Sequence, residues 1–166
     1  MTKTLRSLLS GIVLFNLAVA QANAEELAKL GLDDTSHLGP KIELDASNKI
    51  EGNASIKIST EGPSTVYLGQ IDNLDVENSQ LVYSAKVKTE LQGSAYLEMW
   101  VQVGKDQYFS RGMNNSQKGA ANWKTIKTPF MLQKGQKATK AILNLVINGS
   151  GQAWIDDIVL SKEPLK

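Results

Sequence analysis

From Lys41 onward, apolar and polar residues alternate in short segments separated by clusters of Gly, Asn, Pro and Ser. This period of two is typical of β-strands, and no segment keeps the 3.6-residue period of a helix. Eight or nine such segments predict an all-β fold, a two-layer antiparallel β-sandwich. The longer connections at 72–79 and 112–122 favour strands that cross between sheets, as in a jelly roll. The predicted strands are 41–45, 55–60, 65–71, 81–90, 94–103, 107–111, 123–130, 138–148 and 151–160.

The last predicted strand, 151–160, contains two adjacent carboxylates, Asp156 and Asp157, between apolar residues. A buried charge without a partner loses its hydration, so these carboxylates need compensation. A cation, hydrogen-bond donors from a neighbouring loop, or exposure at a sheet edge would supply it, and the residues alone leave all three open. Strict alternation would place Ala153, Ile155, Asp157 and Val159 on one face, and Trp154, Asp156, Ile158 and Leu160 on the other.

The first 24 residues have the pattern of an export signal. Lys3 and Arg6 give a positive start, an apolar run follows over 8–20, and Ala22-Asn23-Ala24 fits the small-x-small cleavage pattern. The run is short for a membrane span, and no second apolar segment follows it. We therefore predict cleavage after Ala24, a periplasmic or secreted protein and no membrane span in the mature chain. The alternative is an uncleaved N-terminal anchor.

Cleavage of 24 from 166 residues would leave 142, enough for one domain with a core. We expect an N-terminal loop segment at 25–40, with one helical turn over 25–30, then the sandwich over 41–162 and a tail at 163–166. Loss of Lys3 and Arg6 changes the formal net charge from +1 to −1, which gives no electrostatic case for nucleic acid or acidic membranes. The chain has no cysteine, so sheet packing must stabilise it without disulfides.

The predicted strand 94–103 has two chemically distinct sides. Ala95, Leu97, Met99 and Val101 form an aliphatic side that belongs in the core. The other side alternates aromatic rings with hydrogen-bonding groups, which suits a sugar: C–H surfaces stack on rings while hydroxyls pair with polar groups. Without a ligand, the same aromatics would simply cover the sheet, and Trp123 and Trp154 fit that structural role better. The candidate ligand-binding residues are Tyr96, Glu98, Trp100 and Gln102, with Asn144 on strand 138–148 and with Arg111 and the 114–117 loop at the border.

No motif for catalysis is present. The sequence lacks the nucleophile elbow, the zinc-protease helix and the glycine-rich phosphate loop. Glu98 and Asp156 are a conceivable pair of acids for glycoside cleavage, but nothing in the spacing brings them together. The single histidine, His37, lies with Asp33 and Asp34 in a polar segment, where a solvated loop is favoured over a metal site. We therefore predict a protein that is not an enzyme.

Three sequence pieces resemble the carbohydrate-binding-module and galactose-binding-domain-like jelly rolls of secreted bacterial proteins. They are Gly-Asn-Ala-Ser-Ile-Lys-Ile at 52–58, Leu-Val-Tyr-Ser-Ala-Lys-Val-Lys at 81–88, and Asn122-Trp123 with Trp-Ile-Asp-Asp-Ile-Val-Leu at 154–160. The resemblance covers residues 41–160. It implies a structural calcium ion held by hard oxygen ligands. The implied positions are Glu43 or Asp45, residues from Gly52 to Ser55, and Asp156 or Asp157.

These observations together favour a non-catalytic, exported binding module with a carbohydrate ligand and a structural calcium ion. The competing interpretation is a structural or protein-interaction sandwich that binds another exported protein and no small molecule, because a fold does not dictate a function.

Overall fold

The computed structural model describes residues 24–31 and 42–165, which form eight β-strands and one short 3-10 turn. All pairings between these strands are antiparallel, which confirms the all-β prediction. Within those ranges, no helix has the length and apolar character needed to cross a membrane. The predicted export signal before Ala24 and the segment with Asp33, Asp34 and His37 lie outside the described residues. The strands are β1 Glu25–Leu30, β2 Ile42–Asp45, β3 Ser55–Thr60, β4 Ser64–Val76, β5 Ser79–Val103, β6 Asp106–Arg111, β7 Gln117–Leu132 and β8 Ala138–Glu163.

Two long strands, β5 and β8, run through both layers of the sandwich. Each merges two predicted strands, and they pair with each other along almost their whole length. The strands that flank β5 and β8 differ between the two layers. In the first layer, residues 138–148 of β8 and 94–103 of β5 lie between β4 and β6. In the second layer, β1 and β3 pair with the rest of β8, β2 pairs with β3, and β7 pairs with the first part of β5.

Gly93 and Gly149 face each other where β5 and β8 pass from one layer to the other. Their φ angles, +148° and +138°, lie in a region that other residues rarely adopt. The strands also approach too closely for side chains: a Cβ on Gly149 would lie 2.0 Å from the carbonyl oxygen of Gln92. Glycine is therefore required at this crossing by both conformation and space.

One hydrophobic core fills the space between the layers. The inward residues Ala95, Leu97, Met99 and Val101 are fully buried, as their alternation predicts. They pack in one cluster with residues of the second layer, of which Tyr83, Ile126 and Ile155 are among the largest. The core belongs to both layers and to both long strands, so the sandwich is a single packed unit.

The predicted alternation in the last strand is wrong after Asp156. Ala153 and Ile155 face the core as expected, but Ile158 and Leu160 face it too. The register with β5 shifts between the pairs Ser84–Val159 and Lys86–Asp156, and Asp157 has a φ of +50°. This β-bulge adds one residue to β8 and reverses the phase of the residues that follow it.

The predicted helical turn at 25–30 is also wrong, because these residues form strand β1. β1 pairs with residues 158–162 of β8, and Leu27 and Leu30 pack against the core. Six residues make a marginal helix in water, whereas the edge of β8 offers a ladder of hydrogen bonds and an apolar contact. Pairing with a distant strand therefore overrides the local preference. At the other end, β8 continues to Glu163 and so extends into the predicted tail.

Candidate functional site

The outer surface of the first layer carries a row of side chains that crosses four strands. The registers place Tyr67 of β4 opposite Asn144 of β8, Asn144 opposite Glu98 of β5, and Glu98 opposite Arg111 of β6. The next row places Ile142 opposite Trp100 and Trp100 opposite Phe109. We call this surface the aromatic face. It consists of Tyr67, Tyr96, Glu98, Trp100, Phe109, Arg111 and Asn144.

Glu98 is the centre of the hydrogen bonds on the aromatic face. Its Oε1 atom accepts from Trp100 Nε1 at 2.8 Å and from Asn144 Nδ2 at 3.2 Å. Its Oε2 atom accepts from Arg111 Nε at 2.6 Å. The structure therefore brings four of the predicted ligand-binding residues into one network, a result that alternation along single strands could not supply.

The carboxylate of Glu98 stays charged although the residue is only 4% exposed. Burial alone raises the pKa of Glu98, but hydrogen bonds from Arg111, Trp100 and Asn144 outweigh it and hold the pKa below its usual value. Glu98 in turn raises the pKa of Arg111. The two residues form an ion pair that fixes the tryptophan ring, the amide and the guanidinium relative to one another.

Trp100 and Phe109 form an aromatic pair that borders this network. Their ring centroids lie 5.1 Å apart at an interplanar angle of 47°, and Phe109 is 50% exposed. The guanidinium of Arg111 lies 4.6 Å from the centroid of the Phe109 ring, a cation–π contact. Exposed ring surface therefore lies directly beside groups that can form hydrogen bonds.

Two other predicted ligand-binding residues, Tyr96 and Gln102, contact the protein itself and offer little to a ligand. Tyr96 is 7% exposed, so little of its ring is available at the surface. Gln102 donates from Nε2 to the carbonyl oxygens of Gly104 at 2.9 Å and Asp106 at 3.0 Å, which braces the turn between β5 and β6. In the neighbouring 114–117 loop, Gln117 is buried and donates to the carbonyl oxygens of Val87 and Asn122.

Sequence reasoning missed Phe109 and Tyr67. The signal for Phe109 was present, because the predicted turn between 94–103 and 107–111 fixes the hairpin register and places Phe109 opposite Trp100. Tyr67 carries no such signal. β4 and β5 are not adjacent; both pair with β8, and only the observed register places Tyr67 in the row with Glu98.

Asp45, a residue of the predicted calcium site, accepts five hydrogen bonds from protein groups. Oδ1 accepts from Ser47 N, Ser47 Oγ and Asn48 N, and Oδ2 accepts from Asn48 Nδ2 and from Trp154 Nε1 at 2.8 Å. The indole N–H of Trp154 is the largest cause that holds the pKa of Asp45 well below its usual range, followed by Asn48 and Ser47. These donors leave this carboxylate little capacity to coordinate a metal.

Asp156 is buried and is compensated by the neighbouring loop. Its Oδ2 atom accepts from the backbone N–H groups of Ile50 and Glu51 at 2.7 and 3.2 Å, and its Oδ1 atom accepts from Asp157 N at 2.7 Å. Of the three alternatives that the sequence left open for this carboxylate, donors from a loop are the one observed. Asp157 instead pairs with Lys29 across 3.0 Å.

The other predicted calcium ligands have protein partners or lie exposed. Glu43 pairs with Lys57 at 2.9 Å, Ser55 donates from Oγ to the carbonyl oxygen of Asn48 at 2.5 Å, and Gly52 is exposed. No group of three or more acidic, histidine or cysteine side chains among residues 24–31 and 42–165 is placed to hold a metal ion. The arrangement as it stands does not fit a calcium ion, since the oxygens of Asp45 and Asp156 accept from N–H and O–H groups. Calcium binding is an expectation from the resemblance alone, and these contacts give it no support.

The second layer offers a different kind of surface. Trp154 is 4% exposed, and the ammonium of Lys88 lies 4.6 Å from its ring centroid, so the indole is covered. A cavity of about 470 Å³ nearby is lined by Ile42, Glu43, Ser59, Thr60, Glu61, Gly151 and Gln152, without an aromatic ring. This surface can form hydrogen bonds but cannot stack on a sugar.

The conceivable catalytic pair of Glu98 and Asp156 is divided between the layers. Glu98 pairs in register with Asn144 in the first layer, whereas Asp156 pairs with Lys86 in the second. Each carboxylate is bonded to its own set of donors. The two acids do not form one site.

Comparison with known proteins identifies the fold. The chain is similar to a structure described as Family 16 Carbohydrate Binding Module-2, with a TM-score of 0.53 and 10% identity over 76% of this chain and 88% of that one. It is also similar to CBM22-1 and GH10 modules of a Clostridium thermocellum endo-1,4-β-D-xylanase complexed with xylohexaose, with a TM-score of 0.54 and 14% identity. That match covers 75% of this chain but only 25% of the xylanase chain. The fold is the jelly roll of carbohydrate-binding modules.

The same fold also occurs in a cyclase from Fischerella sp. TAU, which matches 75% of this chain and 74% of its own with a TM-score of 0.53 and 13% identity. No protein-family model matches the chain, and no curated protein matches it. At these identities the likeness concerns the fold, so the function must be argued from the residues of the aromatic face.

Proposed function

We propose that the chain is a non-catalytic, exported carbohydrate-binding module whose ligand binds on the aromatic face. The observation that carries the proposal is the Trp100–Phe109 pair, which exposes ring surface beside the Glu98, Arg111 and Asn144 network. Sugars are bound by this combination, since rings cover C–H surfaces while polar groups satisfy hydroxyls. Support also comes from the fold, which is shared with carbohydrate-binding modules.

A glycan-array screen of the protein recovered after expression of the full chain tests the proposal. We expect binding to at least one class of polysaccharide, and Phe109→Ala should weaken it several-fold or more, because stacking contributes about 0.5–1.5 kcal/mol beyond buried area. Titration calorimetry with the best array ligand measures the change. An array without any bound glycan would contradict the proposal.

Tyr108→Ala is the matched control for Phe109→Ala. Tyr108 is the preceding residue of β6 and is 47% exposed, but it lies opposite Val101 and therefore on the other face of the strand. Its removal should leave affinity unchanged. Trp100→Ala should also weaken binding while the protein stays folded, whereas Leu97→Ala, a core change, should destabilise the fold by roughly 2–5 kcal/mol. If Trp100→Ala unfolds the protein as Leu97→Ala does, the Trp100 ring is part of the core.

The second candidate function is a protein-interaction domain without a small-molecule ligand. Its support is the exposure of large apolar side chains outside the aromatic face, among them Tyr108, Met113 and Met131. Exposed apolar surface is a common mark of protein contacts. An exported protein that co-purifies with the chain and is lost in Met113→Ser or Met131→Ser would favour this function, and an empty glycan array would accompany it.

A further inference from the structure

Arg111 keeps unused hydrogen-bond donors at the surface of the aromatic face. A guanidinium has five N–H donors, and Arg111 uses Nε to bond Glu98. Among the described residues, no acceptor bonds the two terminal Nη groups. The side chain is exposed, and the Phe109 ring supports it from below. The Nη1–Nη2 edge is therefore available to a ligand.

Glu98, in contrast, has little accepting capacity left. Three donors occupy its two oxygens: Trp100, Asn144 and Arg111. Its charge is buried and balanced by the guanidinium, so it does not present a bare anion to the surface. The polar part of the aromatic face therefore offers mainly donors, and donors select ligands rich in acceptors.

We infer that the aromatic face selects a carboxylated sugar, a uronic acid unit of an acidic polysaccharide. The inference rests on the proposed function and adds the class of ligand. The Nη1–Nη2 edge of Arg111 would hold the carboxylate through two parallel hydrogen bonds, a geometry that a guanidinium provides and an ammonium does not. The sugar ring would stack on the exposed part of Phe109, beside the guanidinium that covers the rest of that ring.

The test compares polygalacturonate with the same polymer after complete methyl esterification. Esterification keeps the sugar ring and removes the charge of the carboxylate. We expect the acid to bind about tenfold or more tightly than the ester, since hydrogen bonds between charged groups are worth more than neutral ones. The preference should shrink as salt concentration rises. Calorimetry or affinity electrophoresis measures both ligands.

Arg111→Lys is the decisive variant. This variant keeps a positive charge beside Glu98 but loses the planar fork of the guanidinium. The ratio of the affinity for the acid to that for the ester should therefore fall most of the way to one. The melting temperature should stay near that of the wild type. Arg111→Gln should remove the preference as well, with some loss of stability because Glu98 loses its partner. Lys105→Gln, in the exposed turn between β5 and β6, is the control and should keep the preference.

Equal affinity for acid and ester, or an unchanged preference in Arg111→Lys, would overturn the inference. If neutral glycans still bind and Phe109→Ala weakens that binding, the proposed function stands without the acidic ligand. Failure of every glycan, acidic or neutral, would instead count against the proposed function itself.

An independent observation concerns the corner where the sequence predicted calcium. The ammonium of Lys29, on β1, pairs with the carboxylates of Glu51 and Asp157. These hydrogen bonds, that to Glu51 first, raise the pKa of Lys29. A cavity of about 310 Å³ lies beside the three groups and is also lined by Gly52, Asn53 and Ala54. The pairing of β1 with β8 brings the ammonium to this corner, with Lys29 opposite Val159.

We propose that the Lys29 ammonium is the cation of this corner and takes the place of a calcium ion. The ammonium neutralises Glu51 and Asp157, the two acids of this corner other than the hydrogen-bonded Asp45 and Asp156. It thereby joins β1, the 46–54 loop and β8. A divalent ion at the same carboxylates would have to displace a charged amine. The wild-type protein should therefore be indifferent to calcium.

Lys29→Met tests whether the Lys29 ammonium occupies the place of a calcium ion. Without the amine, Glu51 and Asp157 are unpaired acceptors beside a cavity, so the variant should gain a melting temperature that rises with calcium and falls back with chelator. Lys162→Met, which removes a similarly exposed lysine paired with Glu25 on the same β1–β8 ladder, should stay indifferent. A wild-type melting temperature that rises with calcium would overturn the proposal, as would a Lys29→Met variant that shows no response.

Discussion

At the scale of single residues, the carboxylates differ by what surrounds them. Glu98 and Asp156 are both buried, yet one is balanced by a guanidinium and the other only by backbone N–H groups. Asp45 is held by neutral donors throughout. The donors around Glu98 and Asp45 hold the pKa of each of these two carboxyls below its usual value, because a hydrogen bond to the charged form favours ionisation. The network around Asp45 therefore links folding to pH.

Asp45→Asn should lower the melting temperature by a few degrees at pH 7. The pKa of Asp45 is depressed in the folded state from about 3.9 in the unfolded chain, so its contribution to stability is complete above about pH 4 and is lost as pH falls toward the folded value. The difference between variant and wild type should therefore shrink below pH 4. Melting curves from pH 7 to pH 2 measure it.

Asp75→Asn is the control for this experiment, because Asp75 is an exposed carboxylate whose partner is the exposed Lys137. A surface pair of this kind contributes little, so the variant should follow the wild type at every pH. A constant difference between Asp45→Asn and the wild type down to pH 2 would contradict the assigned role of the Asp45 charge.

At the scale of elements, the sequence predicts the strands well and their pairing poorly. Alternation locates 94–103 and its buried side, because that strand is regular throughout. Alternation fails in β8 at Asp157, where a bulge reverses the phase, and at 25–30, where a partner more than a hundred residues away decides the structure. Trp100 and Glu98 were predicted from one strand, whereas Tyr67 enters the site through registers that link three strands.

The crossing of β5 and β8 leaves no room for a side chain at Gly93 or Gly149. Gly149→Ala should destabilise the protein by roughly 3 kcal/mol or more, since a strained φ costs about 1–3 kcal/mol and the new Cβ would also lie 2.0 Å from a carbonyl oxygen. Urea denaturation measures the change.

Gly104→Ala separates strain from crowding. Gly104 has a φ of +61° in the β5–β6 turn, and nothing lies within 4 Å of its added Cβ. Gly104→Ala should therefore lose only the cost of placing a residue with a Cβ in the left-handed conformation, about 1–2 kcal/mol. Equal losses in the two variants would show that the close approach of β5 and β8 is relieved by a shift of the backbone.

At the scale of the whole molecule, the aromatic face depends on elements that also form the second layer. Glu98 and Trp100 lie on β5 and Asn144 lies on β8, and both strands continue past the crossing into the layer that contains Asp45 and Lys29. The face is therefore built on continuous, rigid strands rather than on loops. Such a platform can hold the ring of Trp100 and the guanidinium of Arg111 in one geometry before a ligand arrives, which reduces the entropic cost of binding.

The position of β8 in the chain has a consequence for how the protein folds. β1, β3 and β4 all precede β8 in the sequence, and each uses it as a pairing partner. During synthesis, β1 and β4 wait without that partner until residues 138–163 have emerged, while β5, β6 and β7 can already pair with one another. The fold can therefore be completed only after β8 has been synthesised. Its completion depends on contacts between residues far apart in the sequence, and such contacts form slowly. A chain that folds slowly stays unfolded for longer, which is the state that the proposed export would require.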